Sequence, residues 1–438
     1  MAGDAPAELY APAFNFGTDP QPLLHLAEWI NGLAFKNIAF TDEGLPVVKI
    51  AEIKGGFSDA TKRTNGVYDD RFRLRDGDLL FCWSGQPETS IGTFVWDKGD
   101  AWLNQHVFRV LPDDSIDRRF FHFLMLYLQP NFQEIARNKQ TTGLGHVTKG
   151  DLGMMMVQLP SRPEQEHIAD TLQAIQDKLD LNHQMAATLE KMARALFKSW
   201  FVDFDPVHAK AGGLDTGLPA DIAALFPDSF DDGGLPDGWT WGTPESLVEV
   251  NPTTRIDRTN EAPYVDMAAL PTQGHRIKST VSRLVSSGTR FKNGDTLLAR
   301  ITPCLENGKT ALVDCLDDDA VAWGSTEFIV LRPNRRTPEP LAYLIARDAS
   351  FRSHMIASMS GTSGRQRAPA EAVSRWSMAI PTDAVISAWG KAVTPMFDGI
   401  KANSLETGQL TELRDTLLPK LMSGELRVAD AETVTAAA

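Results

Sequence analysis

Ile168, Leu172, Ile175, Leu179, Asn182, Ala186, Leu189, Ala193, Leu196 and Trp200 follow one another at alternating steps of four and three. That is the spacing of a coiled-coil seam, in which apolar side chains return to one stripe of a helix every 3.5 residues. Moved on by 221 residues, the spacing returns as Trp389, Val393, Met396, Ile400, Asn403, Thr407, Leu410, Arg414, Leu417 and Leu421. Roughly 33 residues at 1.5 Å each make a rod of about 50 Å, longer than one small domain needs for its own packing. The expected seam contacts are Ile168, Leu172, Ile175, Leu179, Asn182 and Leu189 on the first helix, with Val393, Met396, Ile400, Asn403, Leu410 and Leu417 on the second. Asn182 and Asn403 sit near the centres of their seams, so antiparallel pairing is expected to bring the two amides together, where a buried polar pair sets register.

Ahead of each helix the chain also repeats. Leu74-Arg75-Asp76-Gly77-Asp78-Leu79-Leu80 is echoed by Phe291-Lys292-Asn293-Gly294-Asp295-Thr296-Leu297, each a Gly-Asp turn feeding an apolar strand. Phe108-Arg109-Val110-Leu111 returns as Phe328-Ile329-Val330-Leu331, an offset of 220. Helical segments follow around 120–136 and 340–357. Next come two Gly/Thr/Ser-rich loops, Gln140 to His146 and Ser360 to Arg367. Each leads to a short strand ending in proline, at Pro160 and Pro381. Five matches in one order, with offsets between 217 and 221, indicate a duplication.

The boundaries follow: a first globular domain over 1–161, a helix over 162–202, an acidic linker over 203–234, a second globular domain over 235–381, a second helix over 382–424 and a tail over 425–438. The segment before Leu45 is shorter than a full domain opening. The linker region, rich in Asp, Gly and Pro, reads as a mobile or loosely packed connector. Asp203 to Gly238 holds eight Asp against one Lys, and Asp314 to Asp319 holds four more Asp, so most of the net charge of −14 is local. A basic face elsewhere is therefore compatible with a polyanionic partner.

A hydrophobic fraction of 42% excludes wholesale disorder. The amino-terminal residues are acidic where a secretory signal is basic, and the densest apolar run, Phe120 to Leu128, is half the length of a bilayer span. Three cysteines without a C-x-x-C pair fit a reducing cytoplasm and argue against zinc. Gly308-Lys309-Thr310 resembles the end of a phosphate-binding loop, but Pro303 stands where its first glycine is needed. No H-E-x-x-H, G-x-S-x-G or G-x-G-x-x-G occurs. Asn251-Pro252-Thr253-Thr254 lacks the second proline and the aromatic of an adenine-methyltransferase tetrapeptide, and Glu52-Ile53-Lys54 lacks the upstream Pro-Asp of a nuclease metal site. No catalytic residue and no metal ligand is expected.

Three stretches resemble the specificity subunits of Type I restriction-modification systems: Leu196 to Val207 (LFKSWFVDFDPV), Leu417 to Leu426 (LLPKLMSGEL) and Leu235-Pro236-Asp237-Gly238-Trp239. His208 departs from the arginine expected there. With the duplication, the resemblance covers nearly the whole chain. It implies an α+β fold of two pseudo-repeated globular target-recognition domains separated by two long antiparallel coiled-coil helices. It implies, too, a non-catalytic subunit that reads a bipartite double-stranded DNA sequence, with the helices as spacer and docking surface. Its partners would be two modification (methyltransferase) subunits and ATP-dependent restriction subunits. No cofactor is expected in this chain; S-adenosylmethionine, ATP and Mg would be held by the partners.

Base edges are read by Arg, Lys, Asn, Gln, Ser and Thr, and phosphates by cations and backbone amides. On that ground, and because similar loops contact DNA in the family, the candidates are Gln140, Thr141, Thr142 and His146 in the first loop, and Ser360, Thr362, Ser363, Arg365, Gln366 and Arg367 in the second. Lys54, Arg63, Arg300 and Thr302, near strand ends, join them. Two other readings stand beside this one. A single-chain restriction-modification enzyme would methylate alone; a duplicated protein-binding scaffold would never retain DNA.

Overall fold

The computed structural model describes residues 7–35, 38, 40–140, 143–362 and 364–427. The chain forms two compact units, one made of Met1–Asp180 with Gly408–Ala438 and the other of Leu181–Thr407.

In the first unit, strands β1 (Ala27–Asn31), β2 (Leu45–Val48), β3 (Arg63–Thr64), β4 (Arg73–Leu74), β5 (Leu79–Cys82), β6 (Gly92–Val95), β7 (Ala101–Leu103) and β8 (Val107–Pro112) make two four-stranded sheets, ordered β1-β8-β5-β6 and β3-β2-β7-β4. Helices α1 (Arg118–Tyr127) and α2 (Gln129–Asn138) follow, then the long α3 (Arg162–Phe201). The segment before Leu45, which reads as too short for a domain opening, supplies the whole edge strand β1, paired antiparallel with β8 from Asn31↔Phe108 to Ala27↔Pro112.

The second unit repeats this element for element. Strands β9 (Val248–Val250), β10 (Glu261–Val265), β11 (Val281–Leu284), β12 (Thr289–Lys292), β13 (Thr296–Ala299), β14 (Thr310–Leu312), β15 (Val321–Gly324) and β16 (Phe328–Pro333) form sheets ordered β9-β16-β13-β14 and β11-β10-β15-β12. Even the single parallel pairing recurs, β2 with β7 and β10 with β15. Helices α4 (Glu339–Arg347), α5 (Ala349–Ala357) and the long α6 (Asp383–Ser423) follow, α6 continuing into the first unit.

The Gly-Asp turns that opened the comparison are the same object twice. Gly77 and Gly294 both have φ of 87°, a conformation that glycine adopts without a Cβ penalty. Gly77 N donates to Trp96 O at 2.7 Å, and Gly294 N to Val313 O at 2.8 Å. Each following aspartate is buried and accepts a backbone N–H three residues back, from Arg75 at 2.8 Å and Lys292 at 2.9 Å. A buried carboxylate needs a cation, and the neighbouring strand supplies it: Arg109 Nε lies 3.0 Å from Asp78, and Arg332 forks onto Asp295 at 2.7 Å. The strand register corrects the sequence alignment here. Val110 faces Leu79 and Leu331 faces Thr296, so the offset is 221 rather than 220, and Phe108 corresponds to Ile329. A slip of one residue exchanges the two faces of a strand, which is why local similarity misplaced it.

Each helical segment expected around 120–136 and 340–357 is two helices. Pro130 opens α2, and Asp348 caps α5 by accepting the Ser350 and Phe351 amides. In the first unit the core packs Phe120, Phe121, Phe132 and Ile135 with Ile168, Leu172, Ile175 and Leu179 of α3 and Leu417 and Leu421 of α6. In the second, Ala193, Phe197 and Phe201 of α3 meet Trp389, Val393 and Phe397 of α6, with the Phe201 and Trp389 rings 5.5 Å apart. Within each unit early residues of one helix meet late residues of the other, so the pairing is antiparallel. Met396, Leu189 and Leu410 are half-buried and Ile400 is buried.

The Asn182 amide is buried, but its Nδ2 donates to Glu406 Oε2 at 2.8 Å, not to Asn403, which is half-buried. The longer carboxylate one turn along α6 out-competes a second amide because an ionised acceptor makes the stronger bond.

The acidic stretch after α3 is a second correction, since it is packed rather than mobile. Helices form over Asp205–Ala211 and Ala220–Ala223, Val207 and Phe226 are fully buried, and the Phe226 ring stands edge-on to Trp200 at 5.0 Å. Its apolar residues are few but spaced to reach one core, which composition averages conceal.

His122 on α1 borders a cleft of about 450 Å³ shared with Arg118, Gln173 and Asp180, and burial pushes its imidazole down to about 4. An unfolded histidine titrates near 6.5. Its neutral form therefore adds stability that is present above about pH 6.5 and is lost as pH falls towards 4, on the order of 3 kcal/mol in full. Thermal unfolding at pH 7.5 and 5.0 should show a larger acid-induced loss for wild type than for His122→Asn; equal losses would exclude His122 as the source.

Candidate nucleic-acid interface

In the second unit the polypeptide leaves β13 through Arg300, Ile301 and Thr302, and the loop Ser360 to Arg367 folds back on that strand end. Thr302 N donates to Gln366 O at 3.0 Å, Ala368 N to Arg300 O at 2.8 Å, and Arg300 N to Glu327 O at 3.0 Å. Ser360 and Arg367 exchange both backbone bonds, at 3.1 and 2.9 Å, which closes the loop into a hairpin. Gly361 (φ 125°) and Gly364 (φ 78°) turn its tip.

Ser360, Thr362, Arg365 and Arg367 are exposed and Gln366 is half-buried; Ser363 lies outside the described residues. Arg300 and Thr302, set down from sequence as separate strand-end candidates, are thus joined to the second loop by its own backbone. Arg367 is not a free cation. Its guanidinium forks onto Glu327 at 2.7 to 2.9 Å, which holds it in one orientation.

The first unit builds the same frame from different side chains. Gly145 and His146 pair with Gly85 and Ser84, and Val147 N donates to Trp83 O at 2.8 Å, the counterpart of the Ala368–Arg300 bond. His146 is half-buried beside this strand end, and exposed Gln140 donates to Gly143 O at 2.8 Å. Thr141 and Thr142 lie outside the described residues. Lys54, on a short helix over Ile50–Gly55 that follows β2, and Arg63, on β3, stand apart from the loop candidates in sequence. Lys54 Nζ stands 5.8 Å over the Phe94 ring, and Arg63 stacks 5.7 Å over Phe57 while donating to Gly44 O at 3.1 Å.

Sequence reasoning missed the other residues at these edges. Trp83 donates through Nε1 to Asn31 Oδ1 at 3.2 Å and stacks on Phe108 at 5.7 Å, with His106 at 5.8 Å. Arg290 and Arg300 share a cleft of about 360 Å³ with Asn251, Thr253, Thr254 and Thr326. Trp83 stands one residue past the strand Leu79–Cys82 as Arg300, already a candidate, stands past Thr296–Ala299, and carrying Arg300 back across the repeat was the signal that would have found Trp83. Among the described residues no cluster of three or more metal-ligating side chains occurs, and no helix is long and apolar enough to cross a membrane.

Residues 23–191 match the family described as Type I restriction modification DNA specificity domain. The chain is 25% identical over 404 residues to the Type I restriction enzyme HindI specificity subunit of Haemophilus influenzae, an alignment covering 81% of this chain and 87% of that one. It is 22% identical to the MjaIX specificity subunit of Methanocaldococcus jannaschii, over 78% of this chain and 76% of that one. The crystal structure of a Type I restriction-modification system S subunit from M. genitalium superposes with a TM-score of 0.55 at 16% identity, covering 93% of this chain and 96% of that one, and it supports the duplicated fold. The fold and these relatives place the chain among duplicated two-unit proteins, and over about four fifths of its length it is similar to the specificity subunits of Type I restriction-modification systems.

Proposed function

We propose that each unit reads one half of a bipartite duplex DNA sequence through its strand-end and loop edge. The observation that carries this is the duplication of one backbone frame bearing two different sets of side chains. A repeated scaffold with divergent chemistry is what two unlike half-sequences require, whereas identical partners would select identical faces. The hairpin of the second unit presents Arg365 and Gln366, groups that pair with guanine and adenine edges.

The exposed faces of α3 and α6 are the docking surface for two modification subunits, which would bring S-adenosylmethionine. Restriction subunits would bring ATP and Mg. This chain reads sequence and catalyses nothing.

With the chain assembled on modification subunits, Arg365→Ala or Gln366→Ala should cost about 1–3 kcal/mol in binding and relax specificity in one half-site only. Mapping methylated adenines and titrating binding against salt test this. A uniform loss across sequences would make the residue a phosphate contact, and no loss would remove the hairpin from the interface. Methylation by this chain alone would favour the single-chain enzyme, and absence of salt-dependent DNA retention in the assembly would favour the scaffold.

A further inference from the structure

Resting on that reading, we infer that the residue one past the central strand is the specificity-determining position of each unit: Trp83 in the first, Arg300 in the second. Both are held by their backbones in the same way, through a carbonyl that accepts from Val147 or Ala368 at 2.8 Å. The backbone bonds of the frame use no side-chain atom of either residue, so the frame itself accommodates a change of chemistry at this position.

What the two side chains offer differs in kind. The Arg300 guanidinium lines the cleft with Arg290, and the residues lining that cleft include no Asp or Glu, in a chain whose net charge is −14. Its Nε is buried and makes no hydrogen bond among the described residues. A sequestered donor without an acceptor is costly, and a bound acceptor relieves that cost. Two guanidiniums flanked by asparagine and threonine fit the O6 and N7 acceptors of a guanine edge. Trp83 has no positive charge to give. Its one polar atom is already used on Asn31, and its ring is half-buried on Phe108. What remains is an apolar surface, suited to a thymine methyl group. The two half-sequences therefore differ in base class at this position, a guanine for the second unit and a thymine for the first.

The test uses the full chain assembled with its modification subunits, on a library of DNA targets varied one base pair at a time and read by adenine methylation. Arg300→Gln should reduce discrimination about 10- to 100-fold at one guanine of one half-site. Trp83→Ala should relax one thymine of the other half-site, each variant leaving the opposite half intact. Arg300→Lys and Trp83→Phe guard against misfolding, and both should unfold nearly as wild type does; Arg300→Lys should still lose discrimination because an ammonium lacks the guanidinium fork, whereas Trp83→Phe should keep the thymine preference because its ring remains apolar. Unchanged base preference in well-folded Arg300→Gln, Arg300→Lys or Trp83→Ala overturns the inference. So does a uniform weakening across all sequences with a smaller salt slope, which makes Arg300 a phosphate contact. If the wild-type assembly itself shows no sequence preference, it is the reading of the units as DNA recognition domains that fails.

Discussion

Replacing Arg347 with alanine is expected to destabilise the second unit by about 3–5 kcal/mol, the range for breaking a buried charged network. Arg347 is 7% exposed and its guanidinium serves five acceptors: Tyr343 Oη at 3.0 Å and the carbonyls of Thr272 (2.7 Å), Gly308 (2.9 Å), Thr310 (3.3 Å) and Gly274. Tyr343 Oη in turn donates to Glu190 on α3 at 2.7 Å. Burial pushes the Tyr343 phenol well above its usual range, which keeps it a donor to that carboxylate. Removing the guanidinium strands four backbone carbonyls and leaves the Tyr343 oxygen without its donor, at a cost of about 1–3 kcal/mol for each unsatisfied group that water cannot reach. Arg347→Lys should rescue little, because a single ammonium cannot span a planar fork of donors. Chemical denaturation of the full chain, followed by tryptophan fluorescence, measures the loss. A change below about 1 kcal/mol for the alanine variant would show that water replaces the guanidinium and that the network is not sealed.

The paired substitution Met185→Glu and Met192→Glu should weaken association with modification subunits on the order of 100-fold while leaving the chain folded. Leu181, Met185 and Met192 fall on one face of α3 and are 48%, 43% and 48% exposed, so a row of large apolar side chains faces outward along a helix proposed above as a docking surface. Unbranched methionine and leucine adapt to a partner helix. Two carboxylates in such an interface lose their hydration without gaining a cation. Because the positions are already exposed, unfolding free energy should change by less than about 0.5 kcal/mol. Co-purification and calorimetric titration read the effect. Undiminished assembly would place the docking surface elsewhere on the two helices.

The sequence alone determined the duplication and the two long helices, because both are written in local periodicity. Apolar residues at steps of four and three specify a helix stripe whatever lies across from it, and a Gly-Asp turn before an apolar run specifies a strand start. The Gly77 and Gly294 turns came out alike to the bond for that reason. The absence of recognisable catalytic motifs was legible in the same way, since those chemistries need residues at short fixed spacings.

Tertiary structure decided what depends on partners distant in the chain. Strand register is a relation between two segments, so the true offset at β8 and β16 emerged only from the pairing. Asn182 found Glu406 because side-chain reach across two helices, not seam position, selects a hydrogen-bond partner. The acidic segment after α3 looked unstructured by composition, yet Val207 and Phe226 reach a core assembled from residues far on either side. Above all, only the fold brought Arg300 to Ala368 and Trp83 to Val147, more than 60 residues apart in each case. The proposed reading surface is assembled from strand ends and loops distant in the chain, and no periodicity in a one-dimensional chain encodes which of them meet there.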